Sequence, residues 1–189
     1  MDSRFGSIDG VLRVTAGYAG GTTPSPTYRS IGDHSEAVRV VYDPTKVSYR
    51  GLLAVFWDAH DPRSRPWSRQ YRNALFYHTP EQERAARESL REVEGRLGGP
   101  VRTALEPAGP FYRAEAYHQK YVLRSRGRLW RALVEHFGGE DAAADSTAAA
   151  RLNGWLGGYG TPTAEAVEAL DLPEDLRALV LAELGLAAN

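Results

Sequence analysis

The 189-residue chain is 42% hydrophobic and carries a formal net charge of −1 at pH 7, values typical of one globular domain with a substantial core. Interleaved arginines and glutamates leave no large basic face, which argues against nucleic acid as a partner, and the lack of cysteine excludes disulfides and thiolate sites within these residues. Because no apolar run reaches the roughly 20 residues of a membrane span and no signal peptide opens the sequence, we expect a soluble, cytoplasmic protein without a membrane partner.

The first part of the chain predicts two strands and a helix. Residues Val14–Gly21 pass from β-branched residues into glycines, which indicates a strand that ends in a tight loop. Residues Ala37–Tyr42 are again β-branched and are followed by Asp-Pro, a strand terminator. Ser48 then stands where it can cap a helix whose apolar residues recur at helical spacing.

The middle of the chain predicts strand, helix, strand and helix. Residues Ala74–His78 resemble a strand, and Thr79–Gln82 form a capping box with proline at the first helical position. A strand over Val101–Leu105 and a helix over Arg113–Arg124 follow from composition and spacing. Strands and helices therefore alternate, which predicts a mixed α and β fold.

Beyond Arg128 the chain becomes alanine-rich and helical. Asp145 and Ser146 can cap one helix, and a last helix from Thr163 to Leu184 is interrupted near Pro173. The apolar residues of this tail are better explained by packing than by partner binding; they are Leu176, Leu179, Val180 and Leu184.

Several residues between these elements could carry chemistry. Glu36, at the start of a strand beside glycines, could be desolvated enough to hold a proton and act as a general acid. Tyr28 and Tyr71 could donate to a bound oxygen, but the chain has 10 tyrosines and a purely structural role stays open.

Metal and nucleotide sites are not expected. The histidines His34, His60 and His118 lie in no HxxxH pattern, and each is as easily a structural hydrogen-bonding residue. The segment Gly17–Gly21 lacks the lysine and spacing of a phosphate-binding loop, so its glycines are expected to permit left-handed turns.

In combination, these clusters resemble the A-type peptide methionine sulfoxide reductases, which act on the S epimer of oxidised methionine. The family pattern runs GYAGG, NPTY, GHxE, YDP, FWxxHDP, QYRS and FYxAExYHQxY, and this chain keeps its order and spacing between Arg4 and Arg124. The matching segments are residues 17–21, 25–28, 33–36, 42–44, 56–62, 70–72 and 111–121.

The resemblance implies a fold and a domain organisation. It implies an α/β (α+β) two-layer sandwich in which helices flank a mainly antiparallel mixed sheet. Residues 1–128 would form the reductase-like domain without the family's first strand and nucleophile. Residues 129–189 would form a helical C-terminal extension packed on it, and the protein would be a monomer.

The resemblance also implies a reaction. Glu36 would protonate the sulfoxide oxygen, and Tyr28 and Tyr71 would hydrogen-bond that oxygen. A Cys or Sec nucleophile would attack the sulfur, and thioredoxin or another thiol would reduce the resulting sulfenic acid without metal or other cofactor. The substrate would be methionine sulfoxide, free or in oxidised proteins. Three further side chains would bind the substrate: Trp67, His118 and Tyr18.

The chain departs from the family in three respects. The nucleophile belongs to a GCFWG motif that would immediately precede Met1, which leaves three hypotheses: a misassigned start, a selenocysteine codon read as a stop, or a nucleophile-free sulfoxide-binding relative. The family's acidic QGND segment has no counterpart, because Arg63–Ser68 is shorter, and Trp67 is expected to wall the site instead. Resolving cysteines are also absent, so an external thiol is expected to regenerate the enzyme directly.

Overall fold

The computed structural model describes residues 1–186; the last part of the predicted extension, residues 187–189, lies outside the described residues. Helices and strands are mixed up to Arg113, and from Tyr121 onwards the described elements are all helical; short 3₁₀ helices lie at Arg69–Tyr71 and Ala116–His118. The α-helices are α1 (Asp2–Gly6), α2 (Tyr49–Asp58), α3 (Pro80–Leu97), α4 (Tyr121–Arg124), α5 (Gly127–Phe137), α6 (Glu140–Asp145), α7 (Thr147–Leu156), α8 (Ala164–Glu168) and α9 (Glu174–Leu184). The strands are β1 (Val11–Ala19), β2 (Ser35–Tyr42), β3 (Ala74–Tyr77), β4 (Ala104–Pro107) and β5 (Tyr112–Arg113).

The strands form two sheets. The first has the order β2-β1-β5, and β1 pairs antiparallel with β5 so that Gly17 lies opposite Arg113. The second consists of β3 and β4 in parallel, with Ala74 opposite Ala104. The predicted mixed α/β class, with an antiparallel sheet and flanking helices, is confirmed; the strands are divided between two sheets.

The predicted helix caps are present. The Ser48 hydroxyl accepts a hydrogen bond from the Gly51 amide at 3.1 Å and begins α2. The Thr79 hydroxyl accepts from the Gln82 amide at 3.2 Å and begins α3 at the predicted proline. Side chains of this kind satisfy amides that have no partner in the first helical turn.

The predicted helix over Arg113–Arg124 is wrong. Its first residue belongs to β5, a 3₁₀ turn follows, and only Tyr121–Arg124 is α-helical. The helix is broken at Lys120, whose φ of 52° is left-handed. The Lys120 ammonium is buried and donates to the Asp2 carboxylate and the Val14 carbonyl, so burial of this charge pair outweighs the local helical periodicity.

The chain divides into two compact units. The central unit comprises Ala16–Val38 and Pro44–Glu115, and the terminal unit comprises Met1–Thr15, Arg39–Asp43 and Ala116–Asn189. The predicted domain boundary between residues 128 and 129 does not coincide with this division and stays a prediction. Among the described residues, no helix has the length and apolar character needed to cross a bilayer.

The core of the terminal unit is helical. Its buried residues come mainly from α5, α7 and α9, and the tail residues Leu176 and Val180 are among them, as predicted from their spacing. Helix α1 packs tightly on α7, because a Cβ at Gly154 would lie 2.5 Å from the Ser7 nitrogen. The Arg151 guanidinium also donates to the Ser7 carbonyl at 2.7 Å.

The core of the central unit lies between α2 and α3. The Trp57 indole is buried there and donates to the Ser89 hydroxyl at 3.0 Å. His60 stacks beside Trp57, with its ring nitrogens 2.8 Å from the Phe56 carbonyl and 2.9 Å from the Thr103 hydroxyl. Burial lowers the pKa of His60, which fits the structural role left open by the sequence.

Candidate functional site

The loop between β1 and β2 is closed by a carboxylate clamp. The Asp33 carboxylate accepts from the Thr22 amide at 2.8 Å and from the Thr23 amide and hydroxyl at 2.9 and 2.7 Å. These hydrogen bonds, the Thr23 amide first, hold the pKa of Asp33 well below its ordinary value. The clamp fixes both ends of the segment that carries Tyr28.

His34 reinforces the same loop. Its Nδ1 accepts from the Gly21 amide at 3.2 Å, so Nε2, 2.7 Å from the Thr23 carbonyl, carries the hydrogen and donates it. The buried ring is therefore a neutral structural imidazole. Among residues 1–186, no group of three or more His, Cys, Asp or Glu side chains is arranged to hold a metal ion.

Glu115 fixes Tyr28 from the other side. One oxygen of its carboxylate accepts from the Tyr28 amide at 3.0 Å, and the other accepts from the Tyr18 hydroxyl at 2.6 Å. Tyr18 is almost fully buried. The predicted substrate contact of Tyr18 stays a prediction, whereas its hydroxyl supports Tyr28 through Glu115.

The predicted acid and the two predicted phenols lie together. The Tyr28 and Tyr71 hydroxyl oxygens are 3.4 Å apart. Between Tyr71 and Glu36 lies Gln70, whose side-chain nitrogen is 2.8 Å from a Glu36 oxygen and 3.1 Å from the Tyr71 hydroxyl. We call these four residues the acid–phenol cluster. It belongs entirely to the central unit.

The expected desolvation of Glu36 is wrong, because the side chain is exposed. Side chains alternate between the two faces of a strand. Ser35 is buried on one face of β2, so Glu36, the next residue, points to the other face.

Tyr71 is held as a neutral donor. Its pKa is raised to about 12, first by the hydrogen bond with Tyr28 and then by burial and the negative charge of Glu36. Trp67 stacks on the Tyr71 ring at a centroid distance of 4.7 Å and is 81% exposed. The tryptophan that was expected to wall the site thus lies against one of its phenols.

Two arginines hold the 3₁₀ turn that carries Gln70 and Tyr71. The Arg69 guanidinium donates to the Asp33 and Gly20 carbonyls at 2.5 and 3.0 Å. The Arg72 guanidinium donates to the Ser35 hydroxyl at 2.7 Å and forms a paired contact with Glu106, which lowers the pKa of that carboxyl.

Sequence reasoning did not assign roles to Gln70, Arg69, Arg72 or Glu115. Gln70 and Arg72 belong to the QYRS-like segment, and Glu115 belongs to the segment that resembles FYxAExYHQxY, so the motifs marked these positions without giving their function.

His118 lies in the terminal unit, on the 3₁₀ helix Ala116–His118, where its ring packs on Tyr117 at 4.2 Å. Its predicted role in substrate binding stays a prediction.

The mixed α/β fold thus brings together one carboxyl group and two phenols, groups of the kind that donate hydrogen bonds and protons in enzymes. The sequence model of the family described as "Peptide methionine sulfoxide reductase" matches residues 1–145. The chain belongs to this family.

Individual relatives agree. The peptide methionine sulfoxide reductase of Methanoculleus marisnigri is 46% identical in an alignment 138 residues long that covers 67% of this chain and 84% of the relative. That of Drosophila melanogaster is 41% identical over 161 residues, 84% of this chain and 64% of the relative. Among solved structures, methionine sulfoxide reductase A of Corynebacterium diphtheriae is 36% identical with a TM-score of 0.58, covering 62% of this chain and 65% of that one. The chain thus spans less than two thirds of the last two proteins.

Proposed function

We propose that the acid–phenol cluster binds methionine S-sulfoxide and protonates its oxygen during reduction to methionine, a repair of oxidative damage. The observation that carries this proposal is the convergence of Glu36, Gln70, Tyr71 and Tyr28 within hydrogen-bonding reach of one another. A sulfoxide oxygen is a strong acceptor without a hydrogen of its own. Two phenols and a carboxyl group supply the donors that it lacks.

In the proposed reaction, Tyr28 and Tyr71 donate hydrogen bonds to the sulfoxide oxygen, and Glu36 delivers a proton to it. Protonation weakens the sulfur–oxygen bond and makes the sulfur electrophilic, so that a thiolate or selenolate can attack. The oxygen passes to the nucleophile as a sulfenic or selenenic acid, and methionine leaves. Two thiol equivalents from thioredoxin or another reductant then release water and restore the nucleophile.

The nucleophile is the part of this proposal that the present residues do not supply. The 189 residues contain no cysteine, and we propose that a Cys or Sec from sequence outside these residues provides it. Trp67, which stacks on Tyr71, is proposed to contact the rest of the substrate. The cytoplasmic location, the monomeric state and the absence of a cofactor other than an external thiol belong to the same proposal.

A second candidate is a nucleophile-free sulfoxide-binding module. It is favoured by one observation: the donors of the acid–phenol cluster are assembled without any thiol among the 189 residues. Such a module would bind the S-sulfoxide and leave it unreduced.

The test compares the protein from its natural source with its Glu36→Gln variant. Intact mass and the N-terminal peptide establish whether a Cys or Sec is present, and a reductase assay with thioredoxin or dithiothreitol measures turnover. If the proposal holds, Glu36→Gln lowers kcat much more than it weakens sulfoxide binding, since the proton matters most in the transition state. Unchanged turnover removes Glu36 from the mechanism. A natural protein without Cys or Sec that binds sulfoxide supports the binding module instead.

A further inference from the structure

Gln70 occupies the centre of the acid–phenol cluster. Its side-chain nitrogen lies 2.8 Å from Glu36 Oε1 and 3.1 Å from the Tyr71 hydroxyl. An amide nitrogen carries two hydrogens and accepts none. Both distances therefore describe donation by Gln70, and both neighbours are acceptors in these contacts.

Because Gln70 donates, it constrains where Glu36 and Tyr71 can carry their own hydrogens. Glu36 Oε1 accepts, so a proton on this carboxyl group must lie on Oε2, the oxygen that Gln70 does not contact. The Tyr71 oxygen also accepts from Gln70, so its own hydrogen must point elsewhere. The acceptors within its reach include the Tyr28 hydroxyl, 3.4 Å away, the Glu36 carboxylate and, once substrate is bound, the substrate oxygen.

The position of Gln70 is fixed by its surroundings. It lies in the 3₁₀ turn Arg69–Tyr71, directly after Arg69 and two residues before Arg72. The first arginine ties the turn to the Asp33 and Gly20 carbonyls, and the second ties it to Ser35 and Glu106. Because these bonds do not involve the Gln70 side chain, its replacement should leave the turn in place.

We infer that Gln70 is a positioning residue for the proton transfer: its amide selects the Glu36 oxygen that carries the proton and turns the Tyr71 hydroxyl hydrogen towards the sulfoxide. This inference rests on the proposed function. Gln70 contacts the acid and the phenol and acts on the substrate through them.

The neutrality of the amide matters. A lysine or arginine at this position would hold Glu36 in its charged form, and the group would then not serve as an acid. An apolar side chain would remove the two hydrogen bonds by which the amide orients the carboxyl group and the phenol. A glutamine supplies two donors without adding charge, which suits a carboxyl group that must hold and release a proton.

The experiment measures binding by the 189-residue chain, because this step needs no nucleophile. N-acetyl-methionine S-sulfoxide and the thioether N-acetyl-methionine are titrated by NMR at several pH values between 4 and 9. The variants are Gln70→Met, which keeps the length and loses both donors, and Gln70→Glu, which adds a second carboxylate. Gln82→Met is the matched control, because its side-chain oxygen accepts from the His78 amide in the cap of α3.

For Gln70→Met we expect binding of the S-sulfoxide to weaken roughly three- to tenfold. The midpoint of its pH dependence should also move upwards, because a hydrogen bond that favours the charged carboxylate is lost. Gln70→Glu should move this midpoint further in the same direction, because two neighbouring carboxyl groups resist ionising together. Gln82→Met should match the unchanged chain in both respects.

A purely structural role of Gln70 would alter affinity without moving the midpoint. Weaker binding with an unmoved midpoint in both variants, or unchanged binding, therefore overturns the inference and leaves the proposed function standing. If the unchanged chain does not prefer the S-sulfoxide to the thioether, the proposed function itself fails, whatever Gln70 does.

Discussion

The buried charge pair of the terminal unit offers a sharp test of how the N-terminal helix is held. Asp2, the first residue of α1, accepts from the Lys120 backbone amide at 3.0 Å and from its ammonium at 3.1 Å. The Lys120 side chain is 0% exposed and that of Asp2 is 14% exposed. Replacing Asp2 by asparagine removes the carboxylate that pairs with this buried ammonium.

The expected cost follows from the burial. Breaking a buried ion pair by removing one partner typically costs about 3 to 5 kcal/mol. The Val14 carbonyl still accepts from the ammonium and Asp2 is slightly exposed, so we expect the lower end, about 3 kcal/mol. The control is Asp9→Asn, because Asp9 pairs with Arg151 at 3.3 Å but its side chain is 83% exposed. The Arg151 side chain is itself only 10% exposed, but solvent screens Asp9 and the Ser7 carbonyl still accepts from the guanidinium, so we expect Asp9→Asn to cost about 1 kcal/mol.

Urea unfolding monitored by circular dichroism measures both variants. Asp2→Asn should lower the midpoint by roughly 1 M, given the usual dependence of unfolding free energy on urea, whereas Asp9→Asn should lower it far less. Adding Lys120→Met to Asp2→Asn should recover most of the loss, because no charge then stays buried. Equal effects of the two asparagine variants would refute the argument that burial of this pair determines its contribution.

Three further predictions concern single positions. Gly154→Ala should lower the free energy of unfolding by about 1 to 3 kcal/mol, since its Cβ would lie 2.5 Å from the Ser7 nitrogen. Thermal or urea unfolding measures this change. A variant as stable as the parent would contradict the close approach of α1 and α7. The folded protein depresses the pKa of Asp33 below 3.8. Ionised Asp33 therefore stabilises the loop above that pH, and this stabilisation is lost as the pH falls further. Asp33→Asn should make the unfolding temperature depend less on pH in the acid range, and an unchanged dependence would contradict the clamp. Trp67 is 81% exposed, whereas the other tryptophans are 5% to 8% exposed. Trp67→Phe should therefore abolish most of the quenching of tryptophan fluorescence by iodide. Quenching that persists in this variant would mean that another indole is accessible.

Local rules predicted the helix starts and most strands. Ser48 and Thr79 accept hydrogen bonds from the backbone amides three residues further on, as expected of helix caps. These contacts could be predicted because they span only three residues. The helix expected over Arg113–Arg124 failed for a long-range reason. The left-handed turn at Lys120 is coupled to Asp2, which lies at the other end of the sequence, and no local pattern signals that contact.

In the candidate site too, some features could be predicted from the sequence and others could not. The motif resemblance named Glu36, Tyr28 and Tyr71 together, and the fold brings these residues close to one another from three separate segments. Glu36 is exposed because side chains alternate along β2 and Ser35, the residue before it, is buried. The sequence does not show which face of β2 is buried, so this exposure could not be predicted from it. The donation by Gln70 to two acceptors depends on a side-chain geometry that spacing alone does not determine.

A crystal structure of the chain with methionine S-sulfoxide tests the central claim most directly. We expect the sulfoxide oxygen to lie within hydrogen-bonding distance of the Glu36 carboxyl group and of the Tyr28 and Tyr71 hydroxyls, and we expect the R epimer not to bind in this pose. A sulfoxide bound elsewhere, or bound with its oxygen turned away from these three groups, would contradict the account.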